Sequence, residues 1–353
     1  MTIQKPQLPF SLRLALLAVV LWAAAACMGC ATGRSGFADG GAELPSPVAT
    51  ATPAGTATPS CTPLATPTPA PTPFSLLWVP DTQQLAYYAP EGLECTGAWI
   101  ADNLESSNIL GVLHTGDLVD NGFKQWQWDN LALGLDQFRG KVLFLPIAGN
   151  HDLGVKRQAY DAYLEQEFLN DFSDAQKFEG GKMLYQELDA GGLRLLLLGI
   201  GYGAIREDGA LAWIDEVMRA HADRTCILLL HAYLDENGRR LNSCRLEHDE
   251  VIAKYPNIRL VLCGHMRGYC SLTESFDDDG DGTPDRLVPA LMYNMQGTQY
   301  YRPNGEYYAT MRLLRFDPAA RSIEVISFSP GREGPLPPLD GFGPLDFVIE
   351  DAF

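Results

Sequence analysis

From residue 74 onward the chain predicts an α/β fold built on a mainly parallel sheet, on three observations. Strand-length apolar runs recur at 76–79, 109–114, 142–147, 193–200, 226–230 and 258–263. Stretches with helical spacing lie between several of them, and strands alternating with helices are the mark of βαβ units. The runs are continuously apolar, as in strands covered on both faces.

In chain order, residues 1–30 read as an export signal. Lys5 and Arg13 precede an apolar stretch over 14–26, and small residues with Cys27 and Cys30 follow. The stretch is too short to span a bilayer comfortably as a permanent helix. A cysteine directly after a small residue resembles the lipobox of a bacterial lipoprotein. Cys27 after Ala26 or Cys30 after Gly29 fits, although neither has leucine three positions earlier. An exported lipoprotein, held to the outer side of the membrane by an N-terminal lipid anchor, is the expectation. Residues 31–73, dominated by Thr, Pro, Ala, Gly and Ser with repeated Thr-Pro, read as a disordered tether.

The folded domain is expected over 74–330. Helices are expected at 98–104 and at 125–138, where Trp126, Leu131, Leu135 and Phe138 fall roughly on one face. The same spacing places a helix at 158–169, and others at 211–218 after Gly209 and at 248–255 before Pro256. Strand-like runs at 286–295, 310–316 and 322–329 have no helices between them and predict an antiparallel section. Residues 331–353, rich in Pro, Gly and acidic residues, are expected as a surface tail.

Residues 1–73 hold three basic and two acidic residues, leaving 23 basic and 42 acidic residues in 74–353. So anionic a domain repels a polyphosphate backbone, which argues against long nucleic acid as a partner. A small phosphorylated substrate needs local cations to overcome that field. Cys226 and Cys263 lie in apolar runs and read as buried thiols. Cys95, Cys244 and Cys270 lie nearer loops and are the disulfide candidates that export permits.

Five segments place metal-binding side chains at or just after the end of an apolar run: PDTQ at 80–83, GDLVDNG at 116–122, GNHD at 149–152, LLLHAY at 228–233 and CGHMRG at 263–268. Ligands of open α/β sheets bind beyond the carboxyl ends of strands. Asp81, Asp117, Asn150, His231 and His265 all fall there. The combination of GDxxD, GNHD, a lone histidine after Leu-Leu-Leu and a GH dipeptide resembles the calcineurin-like metallophosphoesterases over roughly residues 74–330. PDTQ, with Gln83 where many relatives carry histidine, looks like a recognisable subgroup.

That resemblance implies a four-layer α/β/β/α sandwich and two metal ions bridged by one carboxylate. By position it implies Asp117 as the bridge, with Asn150, His231 and His265 completing one shell and Asp81 and Gln83 serving the other. It also implies His151 as the general acid that protonates the leaving oxygen, oriented by Asp152. Carboxylate and amide oxygens mixed with imidazole suit Mn, Fe or Zn. The departure is Arg267, where the family pattern GHxH ends in histidine; a guanidinium has no lone pair and cannot ligate. One firmly held ion is therefore expected, out of one or two in all. Arg267 either contacts substrate phosphate or fills part of the second ion's space.

The function expected is metal-dependent hydrolysis of a phosphate ester, mono- or diester, outside the cytoplasm. The alternative is a catalytically impaired, surface-anchored protein that binds a phosphorylated ligand on the same fold. Retention of Asp120, Asn150 and His151 favours catalysis.

Asp277, Asp279, Asp281 and Asp285 stand at positions 1, 3, 5 and 9 of a calcium-loop spacing, with Gly282 at 6. Val288 occupies position 12, where a bidentate glutamate is needed, so weak calcium binding and a solvated acidic hairpin turn fit equally. His114 reads as a packed neighbour of the site, and Trp126, Trp128, Tyr160 and Tyr163 as core. Tyr233 is weighed as pocket lining, and Asn294 and Gln296 as strand-end residues facing the site. The substrate and the oligomeric state stay open.

Overall fold

The computed structural model describes residues 71–171, 175–297, 309–332, 334–339 and 341–353. The export signal, the two lipobox cysteines, Cys61 and the tether up to residue 70 lie outside the described residues.

Two sheets form. The first has the order β13-β12-β11-β1-β2-β3, and the second β4-β5-β6-β7-β8-β10-β9. In the first, β1 (Phe74–Val79), β2 (Ile109–His114) and β3 (Leu143–Pro146) run parallel. β11 (Met311–Asp317), β12 (Ser322–Phe328) and β13 (Phe347–Ile349) join them as antiparallel strands. In the second, β6 (Leu193–Ile200), β7 (Thr225–Leu230) and β8 (Ile258–Cys263) are parallel, and β10 (Arg286–Asn294) continues them. β4 (Gln176–Phe178), β5 (Met183–Ala190) and β9 (Gly268–Phe276) complete it as antiparallel neighbours.

The period of two along each strand explains the layers. On β1, Phe74, Leu76 and Trp78 enter a core shared with Leu197, Leu229, Leu262 and Tyr293 of the other sheet. Leu77 and Val79 point the opposite way, onto Leu93 and Ile100 of α2 (Pro90–Asn103) and Leu131 and Leu135 of α3 (Gln125–Phe138). On β7, Ile227 and Leu229 face the first sheet, while Cys226, Leu228 and Leu230 face the helix Ala210–Ala220. The result is the expected α/β/β/α sandwich, with continuous apolar strands because both faces are covered.

Several elements differ from the sequence reading. The short helix expected at 98–104 is the end of α2, which starts at Pro90 and follows α1 (Gln83–Tyr88). The helix expected at 158–169 breaks into Tyr160–Leu164 and Phe168–Asp171. The helix expected at 248–255 is a single wide turn over His248–Ile252. Trp126 is exposed rather than core, its ring edge-on to Tyr87. The expected surface tail instead adds β13 to the first sheet and buries Leu336, Leu345, Ala352 and Phe353 in the shared core. The disulfide expectation fails among the described residues, where Cys95, Cys226, Cys244, Cys263 and Cys270 are all free thiols. The Cys244 and Cys270 thiols donate instead to the carbonyls of Ala232 and Asp235.

Candidate metal centre

Six strand ends from both sheets converge. Asp81 follows β1, Asp117 follows β2, and Asn150 and His151 open the turn of helix after β3. His231 follows β7, His265 follows β8, and Asn294 ends β10. Asp117 and His265 hold left-handed φ values of 53° and 69°. That conformation costs a non-glycine residue about 1–3 kcal/mol and persists where its surroundings demand it. Gly149 leaves the space Asp117 needs: a Cβ there would stand 2.2 Å from its Oδ1.

Around His231 four lone-pair-bearing atoms meet. Its Nδ1 donates to the Thr115 carbonyl at 2.9 Å, which leaves Nε2 as an acceptor. That Nε2 lies 2.9 Å from Asn150 Oδ1, 3.2 Å from His265 Nδ1 and 3.3 Å from Asp117 Oδ1. Acceptors so placed repel one another unless a cation or proton stands among them. Charge points the same way. Burial works to lower the His231 pKa, but Asp117 and Asp81 outweigh it and raise it to about 9. Burial and the neighbouring His231 pull His265 down to about 4. Asp117, His231 and His265 offer donor atoms all within 4.8 Å of one another. The set of two imidazoles, a carboxylate and an amide oxygen fits one borderline divalent ion.

The second position does not fit an ion. Asp81 is buried, and burial lifts its carboxyl to about 8 against the pull of His231. Its oxygens already accept from Asn294 Nδ2 at 2.7 Å and from the His265 backbone N–H at 3.2 Å. The Gln83 amide donates to Asp117 Oδ2 at 3.1 Å, and its oxygen accepts from Gln296 Nε2 at 2.5 Å. Gln296 also accepts from the Gln84 N–H and donates its own N–H to Asn294 Oδ1. A closed amide network thus stands where carboxylate and imidazole would have to face an ion. Arg267 lies over Gly297 and makes no hydrogen bond or ion pair among the described residues.

A cavity of about 280 Å³ opens onto this centre, with Gln83, Asp117, His151, His265, Arg267 and Gln296 on its wall. His151 Nδ1 lies 3.0 Å from the Asp120 carbonyl and 3.2 Å from its carboxylate, so the ring's other nitrogen carries the transferable proton. Burial works to lower the His151 pKa; Asp117 and Asp120 outweigh it and raise it.

Asp152, expected to orient His151, takes another role. Its buried carboxylate accepts from the backbone N–H groups of Val119 and Gly149, tying the two ligand loops together. Asp120 is the group on the His151 ring. His114 is indeed a packed neighbour, bonded to Thr82 Oγ1 and to the Gly116 N–H. Tyr233 is buried and bonded to Glu274, away from the cavity wall. The tyrosine at the site is Tyr202, which packs on the rings of His231 and His265. It follows β6 by two residues, so the strand-end rule applied to that strand was the available signal. Asp277, Asp279 and Asp285 cluster in the exposed β9–β10 hairpin, their oxygens taking N–H groups of their own loop.

The family model for calcineurin-like phosphoesterases matches residues 74–267. The Bacillus subtilis (strain 168) protein YvnB is 33% identical over 262 residues, which is 73% of this chain and 20% of that protein. The 3',5'-cyclic adenosine monophosphate phosphodiesterase CpdA of Escherichia coli (strain K12) is 28% identical over 164 residues, 44% of this chain and 53% of CpdA. The chain thus spans from a fifth to about half of the length of these relatives. The purple acid phosphatase PPD1 from yellow lupin seeds superposes with a TM-score of 0.54 at 15% identity, over 79% of this chain and 54% of that one. At that identity the likeness concerns the fold.

Proposed function

The chain belongs to the calcineurin-like phosphoesterase family, and from that premise we propose that it hydrolyses a small phosphodiester with one firmly held divalent ion. The observation that carries this is the convergence of Asp117, Asn150, His231 and His265 on one point. The ion, when bound, supplies Lewis-acid polarisation of the phosphoryl group.

The protein's own groups do the rest. Asp117 is held by the Gln83 amide and the His151 N–H, so its carboxylate keeps one orientation. His151, with Nδ1 against Asp120, presents its second nitrogen to the cavity, where it protonates the departing oxygen. Arg267 shares that cavity and offers a guanidinium fork to the non-bridging oxygens. A diester carries one negative charge at neutral pH and a monoester nearly two. With the second cation site closed and the domain strongly anionic, the singly charged ester is the better match. The phosphodiesterase name of CpdA agrees with this reading.

Export and lipid anchoring through Cys27 or Cys30 remain part of the proposal, supported by the basic and then apolar pattern before them. Membrane fractionation of the two Cys→Ala variants tests that part.

The decisive experiment measures metal content together with turnover of bis-p-nitrophenyl phosphate and p-nitrophenyl phosphate. About one ion per chain and faster diester turnover are expected, with Asn150→Ala losing at least roughly 100-fold of the rate. Equal rates in the variant would leave a phosphate-binding protein, the reading that Arg267 favours.

A further inference from the structure

The two imidazoles of the metal centre are held unequally. His231 turns Nε2 to the centre, and its Nδ1 donates to the Thr115 carbonyl at 2.9 Å. Such an outer hydrogen bond fixes both the tautomer and the plane of a ligating imidazole. His265 turns Nδ1 to the centre, 3.2 Å from His231 Nε2. Its backbone is pinned, because its N–H donates to the Asp81 carboxylate and its φ is 69°. Its Nε2, in contrast, has no hydrogen-bond partner among the described residues. No outer hydrogen bond sets the rotation of this ring.

Ring packing is what remains to set it. The centroids of His231 and His265 lie 5.0 Å apart with their planes at 70°. Tyr202 closes the triangle. It stands edge-on to His231 at 5.9 Å and lies within 29° of parallel to His265 at 6.3 Å. Both separations fall in the range of aromatic pairs. The near-parallel contact opposes rotation of the His265 ring about its side-chain bonds. Tyr202 is itself fixed through the backbone. Two residues beyond the end of β6, its N–H donates to the Ala148 carbonyl at 2.8 Å, on the approach to the turn that carries Asn150. The Gly201 N–H before it donates to the Lys182 carbonyl at 3.0 Å.

We propose that Tyr202 is a positioning residue of the metal centre, whose ring gives His265 the orientation that the Thr115 carbonyl gives His231. This role rests on the reading of the centre as a cation site and is independent of any hydrolysis. The ring face makes the contact, so the hydroxyl is dispensable. Truncating the side chain empties no core, because Tyr202 is 39% exposed and lines a cavity of about 470 Å³.

Calorimetric titration of the metal-free full chain with manganese tests it. Tyr202→Ala is expected to bind manganese roughly tenfold more weakly than the native protein. Tyr202→Phe keeps the ring and should stay within about twofold of native affinity. The metal-free Tm of all three chains should agree, which separates a loosened ligand from a loosened fold. Cobalt(II) gives a second reading, since its visible bands follow the geometry of its ligands. The bands of the cobalt-loaded native and Tyr202→Phe proteins should coincide, and those of Tyr202→Ala should shift. If Tyr202→Ala loses its melting transition, Tyr202→Leu takes its place with the same expectation. Native affinity and native bands in a folded variant without the ring, or an equal loss in Tyr202→Phe, overturns the proposal. Failure of the native protein itself to bind either ion would overturn the reading of the centre, and the proposal with it.

Discussion

His151 and Arg267 meet the same cavity with opposite constraints. His151 is held through Nδ1 by Asp120, whose charge helps raise its pKa. A general acid works only while protonated, so activity should fall as pH rises through that pKa. Asp120→Asn removes part of the charge that holds the proton. Its alkaline limb should therefore move to lower pH in a kcat–pH profile, and an unmoved limb would separate Asp120 from the acid. Arg267 and Gln83 stand where two imidazoles would complete a second ion site. The double substitution Gln83→His with Arg267→His is expected to raise metal content from about one ion per chain towards two, measured by elemental analysis. Of the site, the ligands were legible because each sits one to three residues beyond an apolar run. The amide network was not. Asn294 ends a strand and Gln296 follows it by two residues, but nothing in the chain reveals that their donors are aimed at Asp81 and Gln83.

At the level of elements, parallel strands covered on both faces announced themselves as unbroken apolar runs. β5 and β9 did not, because their outward positions are polar and half-exposed, and the alternation reads as ordinary surface sequence. Of the helices on the first sheet, α3 was legible over its full length, 125–138, whereas only the end of α2 was read and α1 was not. α2 carries its buried residues at Leu93, Thr96, Gly97 and Ile100, two of them small or polar. Gly97 has a reason visible only in three dimensions. A Cβ there would stand 2.0 Å from the Gly134 carbonyl oxygen, so α2 and α3 touch backbone to backbone. Gly97→Ala should destabilise the fold by roughly 1–3 kcal/mol, read from urea denaturation, because both helices must part to admit one methyl. Trp78→Ala, which empties a fully buried position on β1, should cost about 3–5 kcal/mol in the same assay.

Across the whole molecule the metal centre spans the joint between the two sheets. Asp117 and Asn150 come from one sheet and His231 and His265 from the other. A bound ion therefore links both halves of the sandwich. At an ion concentration a hundredfold above its Kd the native state gains about 2.7 kcal/mol. Removal of metal by a chelator should lower the calorimetric Tm, and re-addition of manganese should restore it. An unchanged Tm would mean the ion is held too weakly to join the sheets. Arg312 makes a second link between the sheets. Its guanidinium lies 4.3 Å from the Tyr293 ring centroid of the other sheet and donates to Ser327 Oγ and to the Leu345 carbonyl of the tail. Leu345 is one of four tail residues, with Leu336, Ala352 and Phe353, that are buried in the shared core although the stretch around them is polar enough to read as surface wrapping.

One consequence of the strand order is mechanical. The first strand of the domain, β1, lies inside its sheet, bonded to antiparallel β11 on one side and to parallel β2 on the other. Tension applied through the residues before Phe74 enters along that inner strand. It must shear both ladders at once instead of peeling an edge strand bond by bond. Single-molecule pulling from the N-terminal side should therefore show a higher rupture force than pulling from the β13 side, where only one ladder, to β12, holds the strand.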